Sequence, residues 1–215
     1  MTKVLLVRHG HVEGIFPERF RGRADLGLTA EGRRQAEATA QRIQRSWKPA
    51  ALYTSPMHRC IATATAIGKL FVLTPILLPG LNDIDYGQWQ GLTPDEVRVR
   101  WPDDLAQWYR NPDRAAIPGG ERLQDMFLRL TAALEEVIGH HPTETVVMVG
   151  HDSVNRIMLL HVLGLPLSRY WRIRQHPCAI NEIDFADGEF TIGSINQIDH
   201  LLLGESGGPT AKARG

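Results

Sequence analysis

Hydrophobic positions along the chain fall into two regimes: short unbroken apolar runs, and longer stretches with an apolar residue every third or fourth place. Val4-Leu5-Leu6-Val7 is the first short run. Four apolar residues without a polar break read as a strand buried on both faces, ending at Arg8. Residues 11–28 are polar, carry Gly14, Pro17, Gly22 and Gly27, and read as an excursion loop. From Thr29 to Arg45 the spacing turns helical, with Ala36, Ala40 and Ile43 on one face. Beyond Pro49, Ala51–Thr54 reads as a second strand, and Ser55-Pro56 as the opening of a helix through Ile61, Ala64 and Ile67. Ile76-Leu77-Leu78 is a third strand. A helix from about Glu121 to His140 precedes the clearest strand, Thr145–Val149, which ends at Gly150-His151. A further helix follows from Ser153 to Leu163, then a hairpin, Ala179 to Phe185 and Phe190 to Ile195, turning at Asp187-Gly188.

Strand, helix, strand, helix at this spacing predicts an α/β fold: a mostly parallel central sheet with helices on both faces. Residues 80–120 interrupt the pattern with Trp89, Trp101 and Trp108 among prolines, glycines and short helices, which predicts an inserted helical lid or side layer. Residues 1–203 read as a single domain. From 204 to 215 the composition turns to Gly, Ser, Pro and Ala, and a flexible tail is expected.

Composition narrows the function by exclusion. The 24 basic and 24 acidic side chains cancel, so no bulk field favours nucleic acid or an anionic membrane, and any anion specificity must come from a local cluster of arginines. Cys60 and Cys178 are too few for a disulfide framework, and Cys60 reads as an apolar filler. The apolar run at the N-terminus is too short for a signal peptide, and no stretch approaches a bilayer span. The expectation is a cytoplasmic protein with a small-molecule partner and no cofactor. A homodimer stays open.

In open α/β sheets, ligands bind outside the carboxyl ends of the strands. The reactive side chains of this chain collect at those ends: Arg8-His9-Gly10 after the first strand, Arg59 one turn into the helix after the second, Asp83 after the third, His151 after the fourth. The set suits phosphoryl transfer, which needs positioning and charge stabilisation of three equatorial oxygens. Two guanidinium groups supply forks of donors, and a protonated His151 adds another. His9 can attack phosphorus as a neutral imidazole. A carboxylic acid must then protonate the leaving alkoxide and later activate water; Asp83 is the candidate. Gly10 fits a sharp turn where the backbone approaches the ligand, and helix starts near Ser55-Pro56 and Asp152-Ser153 could aim their positive ends at the same anion.

With these residues in view, the chain resembles the histidine phosphatase superfamily, also called the phosphoglycerate mutase-like family. The resemblance rests on Leu6-Val7-Arg8-His9-Gly10, on Leu28-Thr29-Ala30-Glu31-Gly32-Arg33-Arg34-Gln35-Ala36, and on Ser55-Pro56-Met57-His58-Arg59 with Thr63-Ala64. It continues through the acid-bearing segment Leu81 to Gly91, through Gly119-Gly120-Glu121, and through Val149-Gly150-His151. It implies a phosphoglycerate mutase-like fold and His9 as a phosphorylated nucleophile. It also implies a phosphate pocket of Arg8, Arg59 and His151, and no metal. The segment Gly87-Gln88-Trp89-Gln90-Gly91 and the lid from Trp101 to Pro112 look more like the small phosphatases, including metal-independent phosphoserine phosphatases, than the mutases.

Departures from the family pattern set the open questions. Asp83 stands where the family usually has Glu, one methylene shorter, so Asp85 is an alternative acid and Asp83 is favoured on reach. Ile15 stands near a usual Asn. Arg21-Gly22 replaces Gln-Gly and adds a cation at the mouth; with Gly22 it is a substrate-binding candidate. Asp152 follows the second histidine where Gly is frequent, and is placed toward the leaving group. Arg19, Arg21 and Arg23 read either as a solvated loop or as a seat for a second anionic group. Two rivals compete with a hydrolase that takes a small phosphorylated substrate through a phosphohistidine. A metallohydrolase would use His9, His11, His151 and Asp152, though two arginines beside the site would repel a dication. A non-catalytic phosphate-binding module would keep the pocket without the acid. Within catalysis, the phosphatase is favoured over mutase-type phosphoryl transfer.

Overall fold

The computed structural model describes residues 1–202, so the tail expected from 204 onward lies outside the described residues. The first apolar run, with two residues before it and one after, forms β1 (Thr2–Arg8). Its side chains alternate between faces. Val4 and Leu6 enter one buried cluster, Leu5 and Val7 the other. Each fully buried aliphatic side chain of this kind contributes about 1.5–3 kcal/mol, so burial on both faces fixes the strand at the centre.

The elements run on as α1 (Ala30–Ser46), β2 (Ala51–Thr54), α2 (His58–Phe71) and β3 (Ile76–Leu77). Then come α3 (Pro94–Arg100), α4 (Pro102–Arg110), α5 (Leu123–His140), β4 (Thr145–Gly150) and α6 (Asp152–Val162). The hairpin β5 (Ile180–Ala186) and β6 (Glu189–Gln197) and the short α7 (Asp199–Leu202) complete the chain described. The six-stranded sheet has the order β3-β2-β4-β1-β5-β6. Its first four strands are parallel, and the hairpin adds an antiparallel edge. One cluster joins Leu5, Val7, Val147 and Val149 to Ala40 and Ile43 of α1 and to Cys60, Ala64 and Ile67 of α2. The other packs Val4, Leu6, Val146 and Met148 against α5 and α6. Helices therefore cover both faces, as the pattern predicted.

Two helix starts differ from expectation, each for a physical reason. Helix α2 starts at His58 rather than Ser55 because the Ser55 N–H still donates to Val149 O, prolonging the sheet ladder before the chain turns. Helix α5 starts two residues later than expected because Glu121 N donates to Asp85 O, which holds the preceding glycines against the acid-bearing segment. Of the two readings of residues 80–120, lid or side layer, the packing is that of a side layer. Trp89, Val97, Leu105 and Trp108 are buried in the same cluster as Val4 and Leu6.

Candidate active site

The register of two neighbouring strands builds the centre of the site. Arg8 of β1 lies opposite Gly150 of β4, so the next residues, His9 and His151, leave the sheet side by side. Their ring centroids are 5.2 Å apart, edge to face. His9 N–H donates to Gly150 O at 2.9 Å, which fixes the first step beyond the strand. Thr54 of β2 pairs with Val149, and Ser55 follows it to within 2.9 Å of His151 Nε2.

Hydrogen bonds decide the tautomers. His9 Nδ1 lies 2.7 Å from Gly10 O, and a carbonyl only accepts, so Nδ1 carries the proton and Nε2 the lone pair. Arg59 Nε donates to His151 Nδ1 at 3.2 Å, so the proton of that ring sits on Nε2 and is given to Ser55 Oγ. Burial, then the charge of Arg59, pushes both imidazoles well below their usual range, with Arg8 adding to the effect. The protonated form in which His151 would add a donor is thus disfavoured in the unliganded site, by burial first and then by the same arginines that would receive an anion.

Arg59 is fully buried on the first turn of α2. It donates to Gly22 O and Ala24 O at 2.7 Å each, and to Asp83 Oδ2 at 3.0 Å. Arg8 is also buried and gives Nη1 to Gln175 O, while its Nε–H has no partner among the described residues. A buried donor left over in this way is costly unless a ligand takes it. Gln175, in turn, is held by Asn155 and Asn181, a buried amide network that sets the height of Arg8.

Asp83 meets this cage directly. Its Oδ2 faces Arg59 and lies 3.5 Å from His151 Nδ1. Its Oδ1 accepts from Ile84 N at 2.9 Å and from Ser153 Oγ. Asp85 turns elsewhere, capping Gly87 N at 2.8 Å and facing Arg23. The segment carrying Asp83 is clamped from α5: Arg129 donates to Gly80 O at 2.6 Å and to Asp83 O at 3.3 Å, and pairs with Glu121 at 2.7 Å.

The remaining candidates sit around this centre. Arg21 is half-buried, hydrogen-bonded to Gly14 O within the excursion loop, and its charge is felt at Arg8 and His151. Gly22 has φ +44°, and a Cβ there would meet Ile84 O at 2.8 Å, so its link to the site is its carbonyl on Arg59. Asp152 opens α6 and pairs with Arg156 at 2.9 Å; its charge also reaches Arg8. Gly10 is required by packing. A Cβ there would lie 2.4 Å from Gly32 O, so the backbone makes a close approach to the head of α1. His11 points to the same place, its Nδ1 3.0 Å from Thr29 Oγ1, so the alternating histidines diverge. Among the described residues no three His, Cys, Asp or Glu side chains group as a metal site would require.

Ser55 and Ser153 entered the site read from the sequence only as helix starts, and the side chains of Thr63, Arg129 and Gln175 had no part in it. Ser55 and Thr63, whose hydroxyl accepts from Gly10 N, lie inside a quoted motif that could have flagged their side chains. Arg129 and Gln175 carry no local signal.

A cage of arginines around paired imidazoles at the sheet's carboxyl edge agrees with what the whole chain matches. The model of the histidine phosphatase superfamily (branch 1) matches residues 4–198, and the chain belongs to that family. It is similar to phosphoserine phosphatase 1 of Hydrogenobacter thermophilus, with 32% identity over 201 residues, covering 94% of this chain and 95% of that protein. A metal-independent phosphoserine phosphatase of Arabidopsis thaliana is 29% identical over 203 residues, covering 94% and 84%. Among solved structures, Bacillus stearothermophilus YhfR superposes with a TM-score of 0.89 at 27% identity, covering 94% of this chain and all of that one.

Proposed function

We propose that the protein is a metal-independent phosphomonoester hydrolase that passes the phosphoryl group of a small metabolite through a phosphohistidine at His9. The carrying observation is the His9 tautomer. Nδ1–H is committed to Gly10 O, so Nε2 holds the lone pair, and burial, then the neighbouring Arg59, disfavours the charged form of the ring. A neutral, oriented imidazole in a positive cage is a nucleophile matched to an anionic phosphoester.

In this reading Arg8 and Arg59 receive the equatorial oxygens, Arg8 with its unpartnered Nε–H. A bound dianion offsets the positive charge that holds His151 neutral, favouring its protonated, donating form. Nε2 of His9 attacks phosphorus, the P–O bond to the alcohol breaks, and Asp83 delivers a proton from Oδ2 to the departing oxygen. Asp83 then accepts a proton from water as the phosphohistidine is hydrolysed, restoring His9 and releasing phosphate. The named activities of the relatives make phosphoserine the first substrate to test, with Arg21 and Asp152 at the mouth to receive the rest of the molecule.

Two measurements test this. Quenching with base during turnover of labelled substrate should leave acid-labile phosphate on residue 9, and His9→Ala should lower turnover by at least roughly a thousandfold. Label on a serine or aspartate, or none, rejects the mechanism. A panel of phosphoserine, sugar phosphates and phosphoglycerate, run with chelator and no added metal, identifies the substrate; isomerisation of phosphoglycerate without phosphate release would make the protein a mutase instead.

A further inference from the structure

The acid of this site is one methylene shorter than the glutamate usual in the family, yet its two oxygens are not equivalent. Oδ1 accepts from Ile84 N at 2.9 Å and from the hydroxyl of Ser153. Oδ2 accepts from Arg59 at 3.0 Å and stands 3.5 Å from His151 Nδ1. One oxygen is thus held by the scaffold, and the other faces the groups that surround the reacting phosphorus. Ile84 N reaches Oδ1 from the same segment as Asp83 and cannot alone set the carboxyl plane against the cage. Ser153 reaches it from another element. It lies in the first turn of α6, two residues after His151, and its side chain is buried.

We propose that Ser153 is a positioning residue for the acid. Its hydroxyl, anchored through α6 to the same strand end as His151, fixes Oδ1 of Asp83 so that Oδ2 carries the transferred proton. The proposal rests on Asp83 being the acid, and it assigns a function to a side chain whose hydroxyl donates to that acid. It also accounts for how the shorter acid keeps its register. A hydrogen bond from α6 couples the carboxyl group to the histidine beside which it must act, so that a displaced β3–α3 connection cannot carry it away.

Steady-state kinetics of Ser153→Ala, Ser153→Cys and Ser153→Thr on two substrates decide the matter. Nitrophenyl phosphate has a leaving group that departs without a proton, and glycerol phosphate has one that needs it. Because Asp83 also serves dephosphorylation, which is common to both substrates, the comparison is made on kcat/KM, which reports only the steps through phosphorylation. Losing the hydroxyl in the Ala and Cys variants should lower kcat/KM for glycerol phosphate roughly tenfold and for nitrophenyl phosphate less than about twofold. Inhibition by inorganic phosphate should stay as in the parent. The Thr variant, which keeps the hydroxyl, should recover the parent's ratio of the two values of kcat/KM. Retained kcat/KM for nitrophenyl phosphate shows that each variant is folded with its pocket intact. Equal losses of kcat/KM on both substrates, no loss on either, or weakened inhibition by phosphate would overturn the proposal.

Asp83→Asn, measured in parallel, separates the two levels of the argument. If it fails to discriminate between the leaving groups, Asp83 is not the acid. If it discriminates while Ser153→Ala does not, the acid stands and only the role of Ser153 falls. In the double variant the loss on glycerol phosphate should match that of Asp83→Asn alone, because two residues acting through one proton are not additive.

Discussion

His9 and His151 put two buried, neutral imidazoles next to two buried arginines, and that arrangement has a cost that varies with pH. Both rings are held well below the 6.5 of an ordinary imidazole, burial being the first cause and Arg59 the second. Above 6.5 neither the folded nor the unfolded chain binds these protons. As pH falls through 6.5, the unfolded chain takes them up and the folded chain does not, so stability is lost at roughly 1.4 kcal/mol per pH unit for each ring. Urea midpoints measured between about pH 7.5 and pH 5 should therefore fall steeply, and His151→Asn should remove about one proton from the slope. An identical slope in parent and variant would show that His151 is protonated in the folded, unliganded protein. Bound phosphate should flatten the same curve, since it lets the folded protein accept a proton at His151 as well.

At the scale of elements, two glycines decide how the first strand meets the first helix. A Cβ on Gly10 would sit 2.4 Å from Gly32 O, and one on Gly32 would sit 2.1 Å from His11 O. Backbone approaches backbone, with no flexible side-chain end to give way. Gly32→Ala should destabilise the protein by about 2–4 kcal/mol and, by displacing the turn that carries His9, reduce turnover more than substrate affinity. Denaturant melts together with kcat and KM check both parts; a variant as stable as the parent would mean that the turn relaxes freely. The sequence made this contact readable only as two motifs. That Arg8-His9-Gly10 and the glycine of Leu28 to Ala36 touch each other is a fact of packing, and single-residue patterns carry no record of which motif faces which. Periodicity located β1, β2, β4 and α1 within a residue or two, because their apolar residues are buried in unbroken runs or on one face. It misjudged the start of α2 and of α5, where hydrogen bonds from distant residues set the boundary. The clamp of Arg129 and Glu121 on the acid-bearing segment was illegible for the same reason.

For the whole molecule, the sheet acts as an instrument of convergence. Residues 9, 55 and 151 come from three parts of the chain, and parallel pairing in register delivers them to one edge. Arg8, His9, Arg59 and His151 could be picked out in the sequence as candidates because each stands at a strand end or opens the following helix, whereas Asp83 lies in the connection beyond β3. The polar network behind Arg8 could not, since Gln175, Asn155 and Asn181 meet only in three dimensions. Because the cage is built before any ligand arrives, an anion should stabilise the entire fold. Inorganic phosphate at a hundred times its dissociation constant should add about 2.7 kcal/mol, and Arg8→Ala should lose most of that gain. Thermal melts with and without phosphate would show it; an equal rise in parent and variant would place the anion elsewhere.

The two backbone carbonyls that Arg59 takes from the excursion loop, Gly22 O and Ala24 O, have a consequence for how such a site can change its taste. Because the guanidinium grips main-chain oxygens, the exposed side chains of the loop remain free to vary while its height above the cage stays fixed. Grafting residues 11–28 from a relative with another preference should transfer selectivity without rebuilding the centre, provided the graft retains the buried Val12, Phe20 and Leu28 and a glycine at position 22, where φ is +44° and no Cβ fits.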